Sequence, residues 1–174
     1  MSRPRLIGLA GHARSGKDTV AGVLCETYGY DVRAIADPLK RILYRLQPAT
    51  ASLVDVHGWD VAKTHPGVRE SLQILGAAIR REFGFDLLPA AALERGKDSD
   101  HLVISDVRMP YEVEKIREGG GIVVWISREG VGPANGDITE RPVDYDVLLE
   151  NNGTLEDLYE AVFNLIEEDG HGSV

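Results

Sequence analysis

A chain of 174 residues, 43% hydrophobic and 27% charged, is long enough for one well-buried core and has the composition of a globular domain. Its net charge of -9 excludes a general attraction for a nucleic-acid polymer, so any small polyanion must be met by cations gathered locally. A single cysteine excludes an internal disulfide, and no apolar run reaches the length of a membrane span or signal segment; the expectation is a cytoplasmic protein with no membrane partner.

Leu6–Ala10 reads as a buried strand. Gly11-His-Ala-Arg-Ser-Gly16-Lys17 follows, and a helix starts there. Two glycines five apart with a lysine next match a phosphate-binding P-loop, whose amides converge at the positive end of a helix. The hydroxyl residue normally found after the lysine is replaced by Asp18, with Thr19 next. The helix runs over 17–28, with Cys25 as small apolar filler.

A second, less regular strand covers Tyr30–Ala36. Asp37-Pro38 then opens a helix over 37–46, Asp37 as N-cap and Pro38 at the first helical position. Lys40 and Arg41 lie one turn in, within reach of an acceptor molecule. The stretch 47–66 mixes Pro, Gly, Thr and Trp and is expected to be loop with a short helix.

The helix expected over 67–84 has a core stripe of Val68, Leu72, Leu75, Ile79 and Phe83. Arg69, Gln73, Gly76 and Arg80 run beside it, two cations, an amide and a gap that could line a crevice. Another helix is expected over 86–95, then a strand at His101–Ser105 leading into Asp106-Val107-Arg108. In an open α/β sheet ligands bind at the carboxyl ends of strands, so Asp106 and Arg108 should face the crevice that holds Lys17. Asp106 could also cap the helix over 109–118, a role compatible with the favoured one in the crevice.

Gly121–Ser127 is the strongest strand signal, and Tyr145–Leu149 is the last. Between them Arg128–Pro142 is glycine-rich and reads as a mobile lid carrying Arg128, Thr139, Glu140, Arg141 and, just beyond, Asp144. Asn151-Asn152-Gly153-Thr154 opens a helix over 154–168, with Thr154 and Asp157 in capping-box positions. Asn151 and Asn152 could contact a nucleotide base, although turn chemistry alone explains both. The histidines do not fall into zinc spacing. Strands alternating with helices argue an α/β domain with a parallel sheet.

Taken together, Gly11–Thr19, Ala36-Asp-Pro-Leu-Lys40, Arg69 through Arg80, Ser105-Asp-Val-Arg-Met-Pro-Tyr-Glu112, Thr139-Glu140 and Asn151-Asn-Gly-Thr-Leu155 resemble the phage-type deoxynucleoside monophosphate kinase family of P-loop kinases. The Gly-Lys-Asp-Thr and Asp-Val-Arg phrases are its most specific parts. The resemblance implies a three-layer fold, a five-stranded parallel sheet flanked by helices, in a single domain over 1–174 with an acceptor region near 37–95 and a lid near 128–142. It implies transfer of a phosphoryl group from ATP to a deoxynucleoside monophosphate, with Mg²⁺ and small nucleotides as the partners; the sequence leaves the oligomeric state open, a homodimer included.

On this reading Gly11, Ala13, Ser15, Gly16, Lys17, Asp18, Thr19 and Asn152 bind ATP. Asp18, Thr19 and Asp106 organise the metal. Asp37, Lys40, Arg69, Gln73, Arg80, Asp106, Arg108 and Glu140 face the acceptor. Arg14, Lys17, Arg108, Arg128 and Arg141 form the cationic clamp that phosphoryl transfer needs. A kinase acting on a hydroxyl, such as dephospho-coenzyme A or a nucleoside, would instead use Asp37 or Asp106 as a base. A nucleotide-binding regulator is the remaining alternative.

Overall fold

The computed structural model describes residues 3–132 and 142–168. Five parallel strands form one sheet: β1 (Leu6–Ala10), β2 (Asp31–Arg33), β3 (Leu102–Val107), β4 (Ile122–Ser127) and β5 (Val147–Glu150), in the order β2-β3-β1-β4-β5. Around them lie α1 (Lys17–Tyr28), α2 (Asp37–Leu46), α3 (Pro48–Ala62), α4 (Pro66–Phe83), α5 (Leu87–Arg95), α6 (Pro110–Glu118) and α7 (Leu155–Glu168). The strand after β1 in sequence lies beyond β3, and β4 flanks β1 on the other side, so the crevice where strand order reverses opens above the carboxyl end of β1.

Side-chain alternation along β1 divides the interior into two cores. Ile7 and Leu9 meet Val20 and Leu24 of α1 and Leu158 and Val162 of α7. Leu6 and Ala10 face the other way, toward Leu39 of α2, Leu88 of α5 and Val113 and Ile116 of α6. Each fully buried aliphatic chain here contributes about 1.5–3 kcal/mol. Helix α1 ends at Gly29, whose φ of 74° lets its amide and that of Tyr30 bond back to Cys25 and Leu24 carbonyls. β3 carries one residue more than β1 between the pairs Gly8–Ile104 and Ala10–Val107, a bulge that re-aims Ser105 and Asp106 at the crevice end.

Several expectations are corrected. The stretch 47–66 is mostly helix: α3 spans Pro48–Ala62, broken at Gly58, which has φ 75° and ψ 168°. Only Thr50 and Ala62 of that helix are fully buried, so no apolar stripe announces it. Phe83 is 70% exposed, not core; α4 rests on α2 and α5 as an outer layer. Cys25 is exposed rather than core filler. Asp37 is the first residue of α2, with Ala36 in the cap position, and its carboxylate reaches back to the Ala34 amide at 2.9 Å. Thr154 and Asp157 do form the reciprocal cap of α7, at 2.7 and 3.2 Å.

Candidate active site

The loop between β1 and α1 is shaped by its glycines. Gly11 has φ 142° and Gly16 φ 107°, conformations that a side chain disfavours. A Cβ on Gly11 would run into the Ile126 carbonyl of β4, and one on Gly16 into the Asn151 amide. Arg14 also adopts positive φ, 69°, at the exposed crown of the loop. Ser15 is buried, and its hydroxyl has no hydrogen-bond partner among the described residues. Lys17 Nζ donates to the carbonyls of Gly11 and His12 at 2.8 and 2.6 Å, so its ammonium spans the loop. Asp18 and Thr19 are exposed in the first turn of α1 beside it.

Of the two asparagines at the end of β5, Asn151 is the one that touches the loop. Buried Asn151 donates from Nδ2 to the Ser15 carbonyl at 2.8 Å, bracing the loop from the end of β5. Asn152 accepts from the Glu129 amide at 2.7 Å and fixes the chain leaving β4. The signal for Asn151 was its position, because β5 ends at the same edge of the sheet as the loop.

Beside the loop a cavity of about 600 Å³ opens between α2, α4 and the end of β3. Its cations are Lys63, Arg69, Arg80 and Arg108; Ala13 of the P-loop forms part of its wall. Leu39, Leu72 and Leu88 give it an apolar side, and Gln73 an amide. The stripe Arg69, Gln73 and Arg80 thus lines a crevice, and buried Gly76 lies within it against Leu39, where a Cβ would come to 3.2 Å. Asp37 and Lys40 are not on the cavity wall; they bond to each other at 3.1 Å. Arg41 points to the opposite side of α2, where it lines a different concavity.

Two acids line the same cavity. Asp106 accepts the Ile35 and Ala36 amides at 2.6 and 3.1 Å, tying the turn after β2 to the end of β3. It does not cap α6. Burial pushes its carboxyl above the usual range, against the pull of those two amides. Glu112 takes the capping role, accepting the Arg108 and Met109 amides at 2.7 and 3.0 Å. Burial, with the nearby Asp106 charge adding to it, pushes the Glu112 carboxyl up to about 7. Tyr111 next to it is pushed up to about 12, mainly by burial.

Arg128 is exposed just past β4. Thr139, Glu140 and Arg141 lie outside the described residues. Among the described residues no three His, Cys, Asp or Glu side chains cluster as a metal site. Hard oxygen donors do flank the P-loop, at Asp18 and Thr19, which fits Mg²⁺, an ion that keeps waters and shares few protein ligands with substrate phosphates.

The fold recurs in known kinases. Shikimate kinase from Aquifex aeolicus superposes with a TM-score of 0.54 over 97% of this chain and 99% of that one, at 14% identity. A gluconokinase from Sinorhizobium meliloti gives 0.52 over the full length of both chains, at 16% identity. In sequence, a protein of Acanthamoeba polyphaga mimivirus described as a deoxynucleotide monophosphate kinase is 29% identical over 93% of this chain and 96% of its own. A dephospho-CoA kinase of Corynebacterium glutamicum is 27% identical over 93% of this chain and 96% of its own. The model of the deoxynucleotide monophosphate kinase family matches residues 59–162, from the Trp59 turn of α3 through β3, β4 and most of α7. With a P-loop on β1 and that match across most of the chain, this protein belongs to the deoxynucleotide monophosphate kinase family.

Proposed function

We propose that this kinase transfers the γ-phosphoryl group of ATP to a deoxynucleoside 5′-monophosphate, giving the diphosphate. The observation that carries the reading is the cavity of nucleotide size beside the P-loop, where Lys63, Arg69, Arg80 and Arg108 share the lining with an apolar side of Leu39, Leu72 and Leu88. An acceptor phosphate is already largely ionised near neutral pH, so it needs no strong base. It needs cations to hold it against the polyphosphate of the donor. A chain of net charge -9 that gathers three arginines and Lys63, the latter paired with Asp60 at 2.8 Å, around one cavity meets that need.

In this reading the amides of Gly11–Gly16 and Lys17 hold the donor phosphates, and Lys17 exchanges its carbonyl partners for phosphate oxygens. Arg14 and Arg108 steady the transferring group. Arg69, Gln73 and Arg80 orient the acceptor, and Leu39, Leu72 and Leu88 exclude water around it. Asp18 and Thr19 would hold Mg²⁺, which supplies charge neutralisation between the β- and γ-phosphates. Arg128, Glu140 and Arg141 belong to a lid near 128–142, and the acceptor region lies within residues 37–95, on the cavity-facing sides of α2, α4 and α5.

The hydroxyl-acceptor reading draws support from the similarity to a dephospho-CoA kinase. It requires a carboxylate base, and the geometry disfavours both candidates. Asp37 is held by Ala34 and Lys40 away from the cavity, and Asp106 is engaged by two amides. A coupled ADP-release assay with Mg²⁺ separates the two. Stimulation by deoxynucleoside monophosphates is expected; turnover with dephospho-coenzyme A or nucleosides and none with monophosphates would overturn the proposal.

A further inference from the structure

The face of α2 turned away from the acceptor cavity carries a second concavity. Leu39 and Leu43 are buried on the inner face. At about 100° per residue, Arg41, Tyr44 and Arg45 fall on the opposite one. Val54 and Trp59 of α3 face them, and these five side chains line an open concavity of about 350 Å³. No residue is shared between the linings of the two cavities.

The chemistry of this concavity is unusual for this chain. Acids outnumber bases by 28 to 19, yet neither Arg41 nor Arg45 has a hydrogen bond or ion pair with any described residue. They are one helical turn apart and repel each other. The carboxylate closest in sequence on α3, Asp55, is taken by the Tyr44 hydroxyl at 2.7 Å instead of by a guanidinium. Opposite, the break at Gly58 ends one helical stretch and sets half-buried Trp59 into the wall. Paired guanidiniums suit phosphate oxygens, and an indole face suits a heteroaromatic ring.

We propose that this concavity is a second nucleotide site, taking a nucleoside phosphate with its base on Trp59 and its phosphates on Arg41 and Arg45. The site is independent of which acceptor the enzyme phosphorylates. Lys63, one turn after Trp59 on the continuation of α3, lines the acceptor cavity. Occupancy of the outer site therefore acts on acceptor binding, as a change in acceptor KM.

Equilibrium dialysis of the full chain against each deoxynucleoside triphosphate, with tryptophan emission followed in parallel, tests this. Arg45→Ala and Trp59→Leu should each bind one equivalent fewer than wild type, with kcat and melting midpoint retained. Trp59→Phe keeps a stacking ring and should keep the equivalent. Lys17→Ala should lose a different equivalent, that of the P-loop, and retain quenching at Trp59. Equal stoichiometry in wild type and Arg45→Ala would overturn the proposal. So would displacement of the nucleotide by equimolar inorganic triphosphate, which marks a plain anion patch. A change of oligomeric mass in Arg45→Ala without loss of nucleotide would overturn it in favour of an interface between copies.

Discussion

In the proposed reaction, donor binding turns on Lys17. Its ammonium sits inside the P-loop on two carbonyls, and the proposal has it exchange them for donor phosphates. Lys17→Ala removes that charge from a part-buried site without touching either core. The expected result is a fall in kcat/KM of at least about 100-fold, with circular dichroism and melting midpoint little changed. Glu112 makes the opposite demand on the fold. Its carboxyl ordinarily titrates near 4.5 and is pushed up to about 7, so the folded state holds its proton more tightly than the unfolded chain does. Its contribution is therefore fully present below about 4.5 and is lost as pH rises toward about 7. Glu112→Gln should accordingly gain stability relative to wild type between pH 5 and pH 8. The gain is at most about 3 kcal/mol, because each tenfold difference in proton affinity between the folded and unfolded states is worth roughly 1.4 kcal/mol. Urea denaturation at the two pH values checks it, and a constant difference between the proteins would refute the assignment.

At the scale of elements, Asp106 joins β3 to the turn between β2 and α2, whose Ile35 and Ala36 form part of the cavity wall. Asp106→Ala leaves two amides without an acceptor, at about 1–3 kcal/mol each, offset in part by relief of a buried carboxylate. A net loss of about 1–3 kcal/mol is expected, together with a raised acceptor KM as the turn loosens. A base role for Asp106 would instead collapse kcat at unchanged KM, so steady-state kinetics distinguish the two. The same element shows what the sequence could carry. Helices α1 and α2 were legible to the residue, because their apolar spacing and turn residues agree with packing onto the sheet. Arg69, Gln73 and Arg80 were legible as one stripe because α4 is regular through them. Helix α3 was not, since it packs on another helix rather than on the sheet and is broken at Gly58. The direction of Asp106 was not legible either, because it depends on a bulge and on amides some 70 residues away in the chain.

At the scale of the molecule, the two cores are faces of one sheet, and β1 supplies alternate residues to both. The P-loop leaves the end of that shared strand and is braced by Asn151 at the end of β5, so the loop ties the centre of the sheet to its edge. Such an arrangement should unfold as one unit. Trp125, buried on the α2/α5/α6 face with the His12 ring 5.2 Å away, reports that core and the P-loop together. In a Trp59→Phe background it is the remaining tryptophan of two, so its emission is unambiguous. Its melting curve should coincide with far-UV circular dichroism. A non-hydrolysable ATP analogue at about 100 times its Kd adds about 2.7 kcal/mol to the folded state. For a domain of this length that moves both curves together by about 5–10 °C. Lys17→Ala should abolish the displacement while leaving the two curves superposed. Emission that changes well before the circular dichroism would mean that the two faces of the sheet come apart separately, and the P-loop would then act on one face alone.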